Sequence, residues 1–176
     1  MTIDLAGRLA QLGMTLPHPP LPRGAYEGTV IHEGIAYLSG QISRVGDEVI
    51  TGPVAHDTPP DVVQRAARAC VTRALNVLAA TLPATSVIER VLFLRGFVNA
   101  GPGFVNHSQV MDEVSSLLHE VFGESGRHAR SALGVAGLPG GGLLEIELTV
   151  ALKHEPAPAC GPDPQKLAGR RGSTGP

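Results

Sequence analysis

Aromatic side chains are scarce in this chain: tryptophan is absent, and aromatics make up 3% of the 176 residues. Binding a nucleic-acid strand draws on aromatic rings for stacking and on a basic excess to neutralise phosphates. With 14 basic against 16 acidic residues and a net charge of −2, the chain offers neither, and a dedicated nucleic-acid module is not expected. Cysteine is nearly missing as well. Cys70 and Cys160 are far apart, the second in a Pro/Gly-rich stretch, so they make neither a disulfide framework nor a metal knuckle. No run approaches the roughly 18 apolar residues that a membrane-spanning helix needs. The opening residues, MTIDLAGRLAQLGM, carry Asp4 and lack a basic leader and an apolar h-region. No signal peptide is expected, and the default location is the cytoplasm.

What is present is a 43% apolar composition, enough for one well-packed core built from Ala, Val, Leu and Ile. Residues 3–12 read as a short amphipathic helix stopped by Gly13, and the prolines of residues 16–24 enforce an extended connector. Val30–Ile31 and Ile35–Leu38 flank His32-Glu33-Gly34 as a hairpin, with a further short strand at Glu48–Thr51. Thr58 is placed to cap a first long helix, with Pro59 and Pro60 in its first turn. Its apolar stripe runs through Val63, Ala66, Ala67, Cys70, Ala74, Val77 and Leu78, while Arg65, Arg68, Thr72, Arg73 and Asn76 take the other side. Residues 87–99 read as a strand.

A second helix carries Val110, Met111, Val114, Leu117, Leu118, Val121 and Phe122 and ends at Gly123. Residues 129–136 and 143–152 read as closing strands joined by Leu138–Gly142. The resulting class is α+β, one mixed sheet with two long helices on one face. The domain division is a helix at 1–13, a domain at 14–154 and a disordered tail at 155–176. Alternation on 87–99 puts Val91, Phe93 and Phe97 on one face and Leu92, Leu94 and Val98 on the other. Both faces then need cover, and a second copy of the chain supplies it, so a homo-oligomer is expected.

Most of the glycine-rich stretches read as plain turns. Gly101-Pro-Gly103 lacks the Lys-Ser/Thr of a phosphate loop, and Gly123-Glu-Ser125-Gly126 follows a helix and misses nucleophile-elbow spacing. The histidines show no i, i+4 pair, so no metal site is expected. Arg130 is the informative charge. It shares a strand face with Ala132 and Gly134, which leaves room for a planar guest whose carboxylate a guanidinium could grip. Its plain alternative is an ion pair with a surface acid. Glu145 belongs to the neighbouring strand if 129–136 and 143–152 pair, where it could neutralise an arginine or hold a water as general base. Glu147 has the same claim by periodicity, and a solvated strand glutamate is the plain reading of either.

These residues carry a resemblance. Ala129-Arg130-Ser131, Val135-Ala136, Leu138-Pro139 and Glu145-Ile146-Glu147 resemble the C-terminal signature of the RidA/YjgF family, reactive-intermediate deaminases formerly labelled endoribonuclease L-PSP. Ser39-Gly40-Gln41-Ile42, Gly24-Ala25-Tyr26 and Asn76 match further family positions. The resemblance implies a chorismate-mutase-like fold, a homotrimer and intersubunit clefts that bind small carboxylates. It also implies hydrolysis of 2-imino acids to 2-keto acids and ammonia, without metal or organic cofactor. Arg130 would hold the substrate carboxylate, Glu145 would activate water, and Tyr26, Gly40 and Ala132 would line the cleft. Ala132 stands where the family often has Cys, Ala25 replaces Pro, Glu27 replaces a small polar residue, and a second-helix Asn has no match. A divergent subgroup is implied. Its alternatives are a carboxylate-sensing protein without turnover, or another pathway-specific reaction in the same cleft.

Overall fold

The structure is a computed structural model that describes residues 4–83 and 86–154; the expected tail at 155–176 lies outside them. Helix α1 (Leu5–Gln11) is capped by Asp4, whose carboxylate accepts from the Gly7 amide, and it buries Leu9. A hairpin follows, β1 (Thr29–His32) and β2 (Ile35–Ile42), turning through Glu33 and Gly34, both at positive φ. A small ribbon of β3 (Arg44–Val45) and β4 (Glu48–Val49) precedes the long helix α2 (Pro60–Thr81). Then come β5 (Ser86–Asn99), α3 (His107–Phe122), β6 (Ala129–Val135) and β7 (Leu144–His154). Thr58 does not cap α2. Pro59 holds the cap position, and Thr58 Oγ1 accepts from the Ala55 amide instead.

The main sheet runs β1-β2-β7-β5-β6, antiparallel except for the parallel β5–β6 pair. This corrects the expected pairing of 129–136 with 143–152. A parallel neighbour requires a long crossover, and α3 supplies it between β5 and β6. The short 138–142 connection instead carries the chain past β5, and β7 inserts between β5 and β2.

Helices α2 and α3 pack on each other and on one sheet face, α2 over β2 and β7, α3 over β5 and β6. Small residues set the approach. Ala66, Ala67, Cys70 and Ala74 of α2 are fully buried, with Leu75 and Leu78 filling the core behind them. On β5 the alternation differs from the expected one. Bulges between Ile88 and Arg90 and between Val91 and Phe93 put Val91 in the core with Leu94 and Val98, and leave Leu92 exposed. A bulge inserts an unpaired residue and so flips every later side chain. Phe93 and Phe97 stay half-buried on the helix-free face.

Candidate active site

Three segments distant in sequence build one pocket. Asn76 of α2, 9% exposed, ties down the connector before β1. Its Nδ2 donates to the Met14 carbonyl at 2.7 Å and its Oδ1 accepts from the Leu16 amide at 3.0 Å. The connector then turns at Gly24, whose carbonyl accepts from the Tyr26 amide. Ser39 of β2 fastens the next stretch by donating from both its amide and its hydroxyl to the Gly28 carbonyl. The register of β2 against β7 shifts between Leu38 and Gln41, which sets Ser39 and Gly40 at an irregular point of the sheet. The resulting pocket, about 130 Å³, is lined by Tyr26, Gly40, Arg44, Arg73 and Glu145, among others.

Glycine at position 40 is required by contact. A Cβ there would lie 1.8 Å from Glu145 Oε1, so the carboxylate rests where any side chain would stand. Glu145 alternates with Leu144 and Ile146, both fully buried against the helices, and leaves the sheet on the other face. Burial, with a smaller push from Glu147, raises its pKa above the ordinary glutamate value. The structure also separates the two glutamates that periodicity left equal. Glu147 is held by Arg95 across the β5–β7 register, at 2.6 Å, whereas Glu145 has no ion pair or hydrogen bond among the described residues.

Arg130 and Ala132 lie elsewhere. Arg130, Ala132 and Gly134 do share a face, but α3 covers it. A Cβ on Gly134 would meet His107 Nε2 at 2.4 Å, and Ala132 packs against the core, so the expected room for a guest is filled within the chain. The Arg130 guanidinium donates to Asp112 Oδ1 at 2.9 Å, to Ser115 Oγ at 3.0 Å and to Ser108 Oγ at 2.8 Å. Ser115 also lies 3.1 Å from His128 Nε2, and burial lowers the His128 pKa. Within one chain, Arg130 thus has the ion pair of its plain alternative.

Sequence reasoning missed Arg44 and Arg73, both on the pocket wall and half-buried, with their Nε atoms buried and unpartnered. Burial, then the charge of Arg44, lowers the pKa of Arg73. A signal existed. Between Asp61 and Glu89 the chain has no acidic residue, so the polar side of α2 carries arginines without the interspersed acids of an ordinary solvated face.

The Endoribonuclease L-PSP family profile matches residues 17–152. Protein TCP17 of Trypanosoma cruzi is 36% identical over 161 residues, covering 88% of this chain and all of that protein. A crystal structure of a protein of unknown function from Agrobacterium tumefaciens superimposes with a TM-score of 0.71 at 37% identity, covering 85% of this chain and 93% of that one. A Shewanella oneidensis structure gives a TM-score of 0.72 at 26% identity, over 84% and 98% of the two chains. The matched span contains the hairpin, both long helices and the strand carrying Glu145, so the chain belongs to the Endoribonuclease L-PSP family, known also as RidA/YjgF.

Proposed function

We propose that the protein is a hydrolytic deaminase of 2-imino acids, acting in the pocket of Tyr26, Gly40 and Glu145. The observation that carries this reading is the Glu145 carboxylate: half-buried, seated over Gly40 and without an ion pair or hydrogen bond among the described residues. An imine carbon is already electrophilic, so a held substrate and a positioned water supply much of the acceleration. Glu145 accepts a proton from water as the oxygen attacks C2. Glu145 hands that proton to the nitrogen of the tetrahedral adduct, then carries the proton of the new C2 hydroxyl to the same nitrogen. The C–N bond breaks as the C2 carbonyl forms, a 2-keto acid and ammonia leave, and the carboxylate is restored. No bond to the protein forms.

The substrate carboxylate needs a cation. In this reading it comes from Arg130 of a neighbouring copy in a homotrimer whose helix-free sheet faces turn inward. Two features support that assembly. Tyr37 and Leu133 are 51% and 44% exposed on the face that carries half-buried Phe93 and Phe97, and β6 is an edge strand. Arg130 retains 20% side-chain exposure, and its Asp112 partner is largely solvated, so the guanidinium can trade that acid for a substrate carboxylate at small ionic cost while Ser108 and Ser115 continue to hold it.

The test is imine hydrolysis. 2-Iminopropionate and 2-iminobutyrate generated in situ by an amino-acid oxidase should be consumed faster with wild-type protein. Glu145→Gln should lose at least tenfold in kcat, and Arg130→Ala should raise KM. No acceleration by well-folded wild type, with carboxylate binding intact, would replace the deaminase with a carboxylate-binding protein.

A further inference from the structure

A second pocket, about 290 Å³, adjoins the first and shares Arg44 and Arg73 as common wall. Its other charged residues are Arg65 and Arg68 of α2, so four arginines and no carboxylate line it. Arg23 on the wall of the first pocket pairs with Asp47 at 3.6 Å, so four arginines stand around the pair of cavities without an ion pair among the described residues, against one lining carboxylate, that of Glu145.

Such a set calls for a counter-ion. Arg73 and Arg44 are half-buried with both Nε atoms buried and unpartnered, and neither forms an ion pair among the described residues. A guanidinium removed from water and left unmatched is costly, and two like charges side by side compound the cost. Burial and the Arg44 charge together lower the Arg73 pKa, which reports the same mismatch. Arg68 has a local role, since it donates to the Leu12 carbonyl, but Leu12 brings no negative charge. Arginine's fixed fork suits carboxylate and phosphate oxygens. Between the arginines, Leu16, Ile50 and Ala69 give the second pocket an apolar wall.

We infer that the arginine pocket receives a second anionic group of the substrate, so that the protein acts on small organic dianions with carboxylate or phosphate at the end remote from C2. The inference rests on the deaminase reading for which end reacts, and on the arginine pocket for the charge of the other. A substrate with a single carboxylate, held by Arg130, would leave half-buried Arg44 and Arg73 unmatched. A nucleic-acid strand is disfavoured, because Tyr26 is the one aromatic side chain lining either pocket and stacking needs more.

Calorimetric titration of the full chain with propionate, succinate and 2-phosphoglycolate tests this directly. Succinate or 2-phosphoglycolate should bind at least tenfold more tightly than propionate, and the stronger of the two identifies the distal group. Arg73→Gln and Arg65→Gln, each checked for an unchanged fold by circular dichroism, should shrink that preference to threefold or less. Equal binding of propionate and succinate with no gain for 2-phosphoglycolate would overturn the proposal. So would a preference untouched in both variants, or a single-stranded RNA oligomer that binds more tightly and resists displacement by the dianions. The two readings fail separately. Dianion preference without imine hydrolysis removes the deaminase and leaves the anion pocket. Hydrolysis of 2-iminopropionate without dianion preference removes the anion pocket and leaves the deaminase.

Discussion

The Arg130 guanidinium and the Glu145 carboxylate leave the sheet on opposite faces. Arg130 is drawn under α3 by Asp112, Ser108 and Ser115, while Glu145 alternates with the core residues Leu144 and Ile146 and stands over Gly40. Strand β5 separates their strands. A catalytic pair made of these two residues therefore has to come from two copies of the chain, and that gives the proposed trimer a chemical purpose.

Mixing impaired variants checks that division of labour. At substrate concentrations well below the wild-type KM, Arg130→Ala and Glu145→Gln homo-oligomers should each turn over far more slowly than wild type. Unfolding and refolding them together should restore activity, because some clefts then draw Arg130 and Glu145 from two intact sources. Activity recovery in a refolding titration is the measurement, and failure of mixed oligomers to recover any activity would place both residues in one subunit.

Gly40→Ala should cost activity far more than stability. Its Cβ meets the flexible end of Glu145, which can swing away, so the fold should lose about 1 kcal/mol or less. The displaced carboxylate no longer holds the attacking water, and misplacement of about 1 Å can cost on the order of 100-fold. Urea denaturation and kcat measured on the same preparation separate the two effects.

Gly96→Ala should do the reverse. A Cβ there would stand 2.0 Å from Met111 Sδ and 2.8 Å from its Cγ, and Met111 is fully buried. Overpacking of this kind costs about 1–3 kcal/mol. Denaturation midpoints should fall, while kcat in the surviving folded protein stays close to wild type.

Asn76→Ala should loosen the connector that carries Tyr26. It removes hydrogen bonds to Met14 and Leu16 and leaves buried backbone groups unpaired, each worth about 1–3 kcal/mol. Hydrogen exchange should accelerate at the Leu16 amide more than in α3.

The raised pKa of Glu145 fixes the sign of two pH effects. Folding favours its protonated form, so its contribution to stability is whole below the ordinary value of 4.5 and is lost as pH rises through the higher folded-state value. Glu145→Gln stays neutral, so the variant should gain on wild type as pH rises above 4.5. Wild-type kcat/KM should fall on the acid side with a midpoint above 4.5. Thermal melts and rate profiles across that window check both.

The local chemistry of the chain was legible without a structure. The stripes of α2 and α3, the hairpin turn at Glu33-Gly34 and the alternation of Ile146, Leu148 and Val150 each depend on side-chain period within one element, which order in the chain preserves. So did the family resemblance, because its motifs are short and local. Glu145, Tyr26 and Gly40 stand among those motifs, and they line one pocket.

Strand order was not legible, because pairing depends on which edge is open when the chain returns, and α3 takes β6 to the far side of β5. The faces of β5 depart from simple alternation for a related reason: a bulge shifts register without any signature in composition. The sequence by itself determined the elements, the apolar faces and the arginine-rich, acid-free side of α2. Only the tertiary structure decided that Glu147 is paired while Glu145 has no partner among the described residues, that α3 fills the space beside Ala132, and that Arg44 and Arg73 line the same pockets. Those outcomes are set by contacts between residues far apart in the chain, where packing and unmatched charge, rather than local period, fix what each side chain can do.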